Sequence, residues 1–260
     1  MNKKRFSVVT VCFNAEESIG ATLRSVISQS TDLFEFIVVD GGSTDSTMAI
    51  LEKYRSHIDI LISEPDGGIY NAMNKGANLA SGDYIIYMNA NDVFFNSEVL
   101  AKVDAEIDGH EYGLVYGDYI LNIGPTQYYV SSNEDCKGGI VTSHQAIFCK
   151  TEMLRAIGFD ENFILAADYN LIGQLWDMGL KLRVCSPICV MESIGFSSSR
   201  KGLIIREHFK INRSRHGFIF AFYKAMLAFS SMLLANILSL LGLSQVRKTL
   251  RRFKGWKALQ

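Results

Sequence analysis

Residues 6–43 read FSVVTVCFNAEESIGATLRSVISQSTDLFEFIVVDGGS and carry two short apolar runs on either side of a helical pattern. The runs Phe6–Cys12 and Phe34–Val39 are rich in β-branched and aromatic residues, which predicts buried strands. Asn14 is a candidate cap for the intervening helix. The apolar positions of that helix recur at one-face spacing: Ile19, Leu23, Val26 and Ile27. A strand, a helix and a strand in this order predict the start of a parallel sheet.

The same alternation continues to about residue 121. It predicts further strands over Ile58–Ile62, Tyr84–Met88 and Leu114–Ile120. Ser43 to Asp45 can cap a second helix, with apolar positions at Met48, Leu51 and Tyr54. The pattern predicts an α/β fold related to the Rossmann fold, in which helices cover both faces of a mostly parallel sheet. Ligands bind such sheets beyond the carboxyl ends of the strands.

Four successive strand ends are rich in Asp, Asn and Gly: Thr10–Asn14, Asp40–Ser43, Glu64–Gly68 and Asn89–Asp92. Neither GxxxxGK[ST] nor GxGxxG occurs, which excludes the P-loop and the dinucleotide fingerprint. A nucleotide would instead need carboxylates for its base and ribose and a cation for its phosphates. Each Asp-Gly segment alone is also typical of a tight turn. Four in succession favour a binding site.

The net charge of −1 over 260 residues conceals a strong asymmetry. Residues 1–199 hold 13 Lys and Arg against 26 Asp and Glu, whereas residues 200–260 hold 13 basic residues and the single acid Glu207. A hydrophobic content of 48% excludes a disordered chain. We therefore expect a globular domain over 1–199 and a distinct helical tail over 200–260. Five cysteines without CxxC or zinc-type spacing predict reduced thiols in a cytoplasmic protein.

The tail contains an uncharged apolar run, residues 225–246, between basic segments at 200–215 and 247–257. The run reaches the roughly 20 residues that span a bilayer. It can be a spanning helix, an in-plane or re-entrant hairpin with its flanks on anionic headgroups, or a buried or dimerising helix of a soluble protein. Hydrophobic length and flanking charge together favour a membrane-associating tail. Nucleic-acid binding would leave the apolar run unexplained, so no nucleic-acid partner is expected.

Three segments, 7–29, 36–47 and 64–93, contain the motifs VCFNAEES, VVDGGSTD, EPDGGIYNAMNKG and YMNANDV in that order. They resemble the nucleotide-sugar-binding half of inverting family 2 glycosyltransferases, which have the GT-A fold. The pattern is most similar to bacterial enzymes of exopolysaccharide, capsule or O-antigen synthesis, and the resemblance covers about residues 5–200. It is specific for the family and poorly specific for donor or acceptor.

The resemblance implies nucleotide-binding roles for Thr10, Asn14, Asp40, Asp66, Asn74 and Lys75. Asp40 matches the carboxylate that contacts the base or ribose, and Asp66 matches a second nucleoside contact. Asn74 and Lys75 are expected to open a helix near the diphosphate, where a helix N-terminus and a Lys both suit an anion.

The metal motif departs from the family pattern. The family usually carries an Asp-x-Asp type signature after the fourth strand, whereas this chain has Asn89-Ala-Asn91-Asp92. The resemblance implies that Asp92 and Asn91 hold Mg²⁺ or Mn²⁺ weakly, with the donor diphosphate supplying further oxygens. A metal-independent variant and a lost activity are alternatives. Asp92 could also be a helix cap.

Residues 142–170 resemble the family's acceptor-side segment, in which an Asp is the general base, and this implies that role for Asp168. The alternative for Asp168 is an N-cap of the helix that runs to about Met178. His144 and Gln145 fit a wall for the acceptor or donor sugar. A structural role is an equal alternative for His144.

These features together predict an inverting glycosyltransferase that moves a sugar from a nucleoside diphosphate donor, with UDP expected, to a saccharide acceptor. The resemblance and the tail imply a lipid-linked acceptor in surface polysaccharide synthesis at the cytoplasmic face of the plasma membrane. A sugar nucleotidyltransferase is an alternative, although the acidic loop after the first strand disfavours it. A non-catalytic nucleotide- or saccharide-binding protein is the other alternative, because Asn91 replaces a carboxylate.

Overall fold

The computed structural model describes residues 4–132, 142–192, 200–240 and 257–259, which form ten strands and eight helices. The strands are β1 (Phe6–Cys12), β2 (Phe34–Asp40), β3 (Ile60–Ser63), β4 (Tyr84–Tyr87), β5 (Val93–Phe94), β6 (Leu114–Ile123), β7 (Thr126–Val130), β8 (Ile147–Lys150), β9 (Lys181–Glu192) and β10 (Lys257–Ala258). The helices are α1 (Ile19–Ile27), α2 (Thr47–Lys53), α3 (Ile69–Leu79), α4 (Val99–Ile107), α5 (Thr151–Ile157), α6 (Ala167–Met178), α7 (Lys201–His216) and α8 (Phe218–Leu240).

The sheet has the strand order β10-β7-β6-β8-β4-β1-β2-β3, with β9 beside β6 and β5 beside β9. Strands β3, β2, β1 and β4 are parallel, which confirms the α/β prediction for the first half. The second half is mixed, because β8 is antiparallel to β4 and to β6, and a tight hairpin joins β6 to β7. A two-residue connection is compatible only with antiparallel neighbours.

Helices cover both faces of the parallel half, because side chains along β1 alternate between two apolar cores. Val9 and Val11 face the core that contains α3, α5 and α6. Phe6 and Val8 face the core that contains α1, α2 and α4. A Cβ on Gly76 of α3 would lie 2.4 Å from a methyl carbon of Val9, so only glycine allows this approach. The predicted coverage of both faces is confirmed.

The first helices begin later than the sequence pattern predicts. Asn14 is not a cap, because α1 begins at Ile19 and Asn14 lies in the preceding loop with a φ of 47°. The N-cap residue of α2 is Ser46 and not one of the predicted residues Ser43 to Asp45, although the carboxylate of Asp45 accepts the backbone N–H of Thr47, the first residue of the helix, at 3.0 Å.

The first helix of the tail packs on the domain. Ile211 of α7 is buried in the same core as α6. Glu207 is also buried, and its carboxylate accepts the backbone N–H groups of Ile164 and Leu165, both at 2.9 Å. Asn212 accepts a hydrogen bond from the hydroxyl of Tyr169 at 2.9 Å. The separation of the tail at residue 200 stays a prediction, but α7 is bound tightly to α6 and to the loop before it.

Candidate active site

The carboxyl ends of β1, β2 and β3 surround the carboxylate of Asp40. The parallel register pairs Cys12 with Asp40 and Asp40 with Ser63. Asp40 accepts hydrogen bonds from the hydroxyls of Ser63 (2.7 Å) and Ser43, and from the backbone N–H groups of Gly42 (3.2 Å) and Ser43 (3.0 Å). Burial opposes ionisation, yet these donors outweigh it and hold the pKa of Asp40 below its ordinary value. The buried carboxylate is therefore ionised and fixed in position.

Asp66 and Asn14 lie beside Asp40. A Cβ at Gly41 would approach the carboxylate of Asp66 to 2.7 Å, so Asp66 packs directly on the loop that follows β2. The side-chain oxygen of Asn14 accepts the backbone N–H of Thr44 in the same loop at 2.9 Å. The fold thus brings together three of the sequence-predicted nucleotide contacts: Asn14, Asp40 and Asp66.

Three other predicted contacts are engaged elsewhere. Thr10 is fully buried and donates its hydroxyl to the carbonyl of Met88 at 2.7 Å, so its side chain joins β1 to the end of β4. The expectation that Asn74 and Lys75 open a helix is wrong, because α3 begins at Ile69 and both residues lie in its second turn. The helix starts directly after the glycine pair of the EPDGGIY motif, which places five helical residues ahead of Asn74.

Asn74 instead holds the loop between α5 and α6. Its amide donates to the carbonyl of Phe159 at 2.9 Å and accepts the backbone N–H of Phe159 at 2.8 Å. Lys75 pairs with Glu64 at 2.7 Å. Asn74 therefore fixes the loop that leads to Asp168 and has its hydrogen-bonding groups on protein partners.

Asp168 lies in the first turn of α6 and meets two side chains from distant parts of the chain. One carboxylate oxygen lies 3.0 Å from Nδ1 of His144, and the other accepts the hydroxyl of Tyr70 at 3.2 Å and the backbone N–H of Tyr169 at 2.8 Å. The cap alternative is wrong, because Ala166 is the N-cap residue and Asp168 is inside the helix. The side chain of Asp168 is 25% exposed, so its carboxylate remains accessible.

Asp168 and His144 shift each other's proton affinity. Burial opposes the charged form of Asp168, but the hydrogen bond and charge of His144 outweigh it and hold the pKa of Asp168 below its ordinary value. Burial also opposes protonation of His144, and Asp168 reverses this and raises the pKa of His144. Asp168 is therefore in the ionised form that can accept a proton at neutral pH.

The strand order explains why His144 and Gln145 lie beside Asp92. Because β8 is antiparallel to β4, the residues just before β8 meet the segment just after β4. The amide of Gln145 donates to the carboxylate of Asp92 at 2.9 Å, and Nε2 of His144 lies 3.3 Å from the amide nitrogen of Asn89. Burial raises the pKa of Asp92 to about 6, and the hydrogen bond from Gln145 offsets only part of this.

The alternative that Asp92 caps a helix is wrong, because the strand β5 follows it directly. Asn91 is exposed, has a φ of 83°, and donates its backbone N–H to the hydroxyl of Thr22 at 3.2 Å. The turn that contains both residues therefore keeps the side chain of Asp92 inside and that of Asn91 outside.

The donor set of this turn suits a weakly held divalent cation. Among the described residues, no three His, Cys, Asp or Glu side chains converge on a common point. Asp92 supplies one carboxylate, and the buried side-chain oxygen of Asn89 has no hydrogen-bond partner within the described ranges. Hard divalent cations take oxygen ligands and keep waters and substrate phosphates as further ligands. These oxygens therefore fit such a cation without forming a complete protein cage.

Sequence analysis missed Tyr70 and Asn89 as members of this site. Tyr70 is buried and lies 98 residues before Asp168 in the sequence, so no local sequence pattern links the two residues. Its position directly after the glycine pair, at a helix start beyond a strand end, was the available signal. Asn89 opens the strand-end motif, and only its contact with His144 distinguishes it from a turn residue.

The site has two adjoining parts. Asp40, Asp66 and Asn14 form a polar cluster at the ends of the parallel strands, in which Asp40 is fully buried. Asp168 and His144 form an ionised pair on the side of the antiparallel strands. The start of α3 connects them, since it lies between Asp66 and Tyr70 in sequence. One part suits a nucleoside and the other suits proton abstraction from a second substrate.

Comparison with known sequences gives a consistent assignment. The family model described as Glycosyl transferase family 2 matches residues 7–165. A PGL/p-HBAD biosynthesis glycosyltransferase of Mycobacterium bovis is 32% identical over 173 residues, which are 64% of this chain and 67% of the relative. The amylovoran biosynthesis glycosyltransferase AmsB of Erwinia amylovora is 28% identical over 221 residues, 76% of this chain and 73% of the relative.

Solved structures share the fold. The crystal structure of S. aureus TarS in complex with UDP-GlcNAc has a TM-score of 0.65 at 20% identity and covers 80% of this chain. The chain spans 65% of that TarS structure. The mannosyltransferase PcManGT of Pyrobaculum calidifontis, in complex with GDP-Man and Mn²⁺, has a TM-score of 0.66 at 16% identity and covers 98% of this chain and 84% of its own. The extent of the family match, over more than half of the sequence, shows that the chain is a glycosyltransferase of family 2.

Proposed function

We propose that the protein transfers a sugar from a UDP-sugar to a saccharide acceptor with inversion at the anomeric carbon, in surface polysaccharide synthesis. The observation that carries this proposal is the ionised, accessible Asp168, which is hydrogen-bonded to Tyr70, four residues after Asp66 in the segment that packs beside Asp40. TarS was solved with UDP-GlcNAc, which supports a UDP-linked donor. AmsB is named for a biosynthetic role in amylovoran, which supports the polysaccharide product.

In this mechanism Asp168 takes the proton of the acceptor hydroxyl as the oxygen attacks the anomeric carbon. The bond from that carbon to the donor diphosphate breaks on the opposite face, so the configuration inverts and the nucleoside diphosphate leaves. His144 and Tyr70 keep the carboxylate of Asp168 ionised and oriented. Asp40, Asp66 and Asn14 hold the nucleoside. A single base suffices because the nucleoside diphosphate is a good leaving group.

Asp92 and the side-chain oxygen of Asn89 would hold the divalent cation, whereas the side chain of Asn91 is exposed on the outside of the turn. When bound, the cation neutralises charge that develops on the departing diphosphate. PcManGT was solved with Mn²⁺, which supports a cation in this fold. The single carboxylate of the turn agrees with weak binding, because amide oxygens are uncharged ligands.

A donor assay tests the proposed reaction. We expect purified protein to release UDP from a UDP-sugar faster when lipid-linked saccharide acceptors are added, and to depend on Mn²⁺. GDP- and dTDP-sugars serve as controls for the nucleotide. Binding of donor with no turnover in any combination would support the non-catalytic alternative, and pyrophosphate exchange would support the nucleotidyltransferase.

The acceptor is proposed to be lipid-linked, because the tail presents an apolar surface. Helix α8 is long and apolar enough to cross a membrane, and only 6% of its stretch Phe218–Ala235 is buried. Its exposed side chains include Ile219 at 85% and Leu240 at 88%. Exposed basic residues accompany them on α7: Lys201, Arg206, Lys210 and Arg213. Apolar surface beside basic groups suits an anionic membrane.

The ends of the tail favour in-plane binding over a single span. Helix α7 packs on α6 of the domain, and β10 pairs with β7 of the same sheet through Lys257 and Tyr129. A single crossing between residues 217 and 256 would put these two attachments on opposite sides of the bilayer. We therefore propose that the tail lies on, or dips into, the cytoplasmic leaflet.

Vesicle flotation tests the membrane proposal. Full-length protein with Ile219→Glu and Leu227→Glu should bind phosphatidylglycerol vesicles at least tenfold more weakly, since burial of each such side chain contributes roughly 1.5–3 kcal/mol. Leu180→Glu is the matched control, because Leu180 is 72% exposed on the domain. Equal binding of all three proteins would contradict the proposal. Protease access to the C-terminus from only the far side of sealed vesicles would contradict the in-plane arrangement.

A further inference from the structure

A short 3-10 turn, His144–Ala146, contacts both the proposed base Asp168 and the proposed cation ligand Asp92. It is closed by a hydrogen bond from the backbone N–H of Ala146 to the carbonyl of Ser143 at 2.9 Å. The turn leads directly into β8, which runs antiparallel between β4 and β6. Because a sheet strand follows at once, the position of the turn is fixed by the register of β8.

The first residue of the turn reaches the base. Nδ1 of His144 lies 3.0 Å from one carboxylate oxygen of Asp168, and Nε2 lies 3.3 Å from the amide nitrogen of Asn89. The ring is thus held at both nitrogens, and the side chain is only 20% exposed. Such a ring cannot form the open sugar-contacting wall that the sequence suggests without leaving these partners. Its geometry instead fixes which way the carboxylate of Asp168 faces.

The second residue of the turn reaches the cation side. The amide nitrogen of Gln145 donates to Asp92 at 2.9 Å, and its amide oxygen accepts the hydroxyl of Ser143. The hydroxyl of Ser143 therefore fixes which end of the amide faces Asp92. Gln145 is itself buried at 9% exposure. It is a neutral donor to the carboxylate of the Asn-Ala-Asn-Asp motif.

We propose that the turn His144–Ala146 is a positioning element that sets the two carboxylates of the reaction, with His144 acting through Asp168 and Gln145 acting through Asp92. This inference rests on the proposed function and specifies how the proposed base Asp168 and the proposed cation ligand Asp92 are held in place relative to each other. Because both donors belong to consecutive residues, a displacement of the turn moves the base and the cation ligand together. Separate substitutions are therefore expected to separate two kinetic effects.

The experiment measures transfer kinetics for single variants of the full-length protein. His144→Ala should lower kcat by about 100-fold, the effect of a misplacement of roughly 1 Å, with the KM for the donor changed less than about twofold. His144→Asn should recover part of that loss, because its amide can replace Nδ1 as a donor to Asp168. His110→Ala is the control, since His110 is an exposed histidine outside the site.

Gln145→Ala should instead raise the Mn²⁺ concentration for half-activation by about tenfold or more, as loss of a group that orients a metal ligand does. At saturating Mn²⁺, its kcat should fall less than that of His144→Ala. Gln127→Ala, at an exposed glutamine, is the control. Thermal unfolding of each variant separates these effects from loss of the fold.

If the wild-type protein transfers sugar and His144→Ala does so with the same kcat, the proposed role of His144 is wrong. An unchanged Mn²⁺ requirement in Gln145→Ala, or full wild-type activity in EDTA, would overturn the role of Gln145. An absence of transfer by the wild-type protein with every donor would instead count against the proposed function. The two failures are therefore distinguishable.

Discussion

Asp168→Asn is expected to lower kcat by about 10²- to 10⁴-fold, the usual contribution of a general base. The substitution keeps the size of the side chain and can keep a contact with Tyr70, but an amide cannot accept the proton of the acceptor hydroxyl. Donor binding should persist, because the proposed nucleoside contacts Asp40 and Asp66 are unchanged in this variant. The measurement is transfer rate against donor concentration, with UDP binding followed by calorimetry.

Asp177→Asn is the matched control for that substitution. Asp177 is on the same helix, 68% exposed, and pairs with Arg215 at 2.8 Å. Exposed ion pairs contribute about 0–1 kcal/mol, so its replacement should leave both stability and transfer nearly unchanged. Transfer by Asp168→Asn at the wild-type rate would show that another group accepts the proton. Equal losses in the two variants would point to a structural effect on α6.

The same residues show how far sequence reasoning reaches. Local apolar patterns identified β1 to β4, because buried parallel strands are short continuous apolar runs. The mixed half was not predicted, since the position of β8 between β4 and β6 depends on pairings across more than 60 residues to β4 and more than 30 residues to β6. That placement is what carries His144 to Asn89. The pairing of His144 with Asp168 therefore could not be predicted, although each residue could be singled out.

The family resemblance predicted a role for Asp168, which stays a prediction, but it misplaced the start of α3. A helix start depends on local backbone geometry, and here Gly68, with a φ of 114°, ends the loop. Asn74 consequently faces the loop before Asp168 and not the end of the helix. Composition likewise marked a change at residue 200, because charge counts respond to surface residues. They cannot detect that Glu207, the single acid of the tail, is buried against the domain.

A chain that ends at residue 199 is therefore expected to be far less stable than one that ends at residue 216. Removal of α7 leaves the backbone N–H groups of Ile164 and Leu165 without the carboxylate of Glu207. A hydrogen bond to a charged group contributes about 1.5–3 kcal/mol, and each kcal/mol lowers the midpoint by about 2–4 °C for a domain of this size. The loss of these two hydrogen bonds alone predicts a thermal midpoint lower by roughly 6–24 °C. Loss of Ile211 from the core adds to this.

The chain that ends at residue 216 keeps all of these contacts and lacks the exposed surface of α8. It should unfold near the temperature of the full-length protein in detergent and float poorly with vesicles.

In the full-length protein, Glu207→Ala should reproduce part of the loss, while Arg206→Ala, at an exposed neighbour, should not. Differential scanning calorimetry of the full-length protein, the two shortened chains and the two substituted proteins checks this. If the chain ending at 199 unfolded at the full-length midpoint, residue 200 would be a true domain boundary and Glu207 would contribute nothing to the domain. A loss of transfer by Glu207→Ala at a temperature at which it remains folded would instead mean that the tail, through Glu207 and the loop before Asp168, also positions the proposed base.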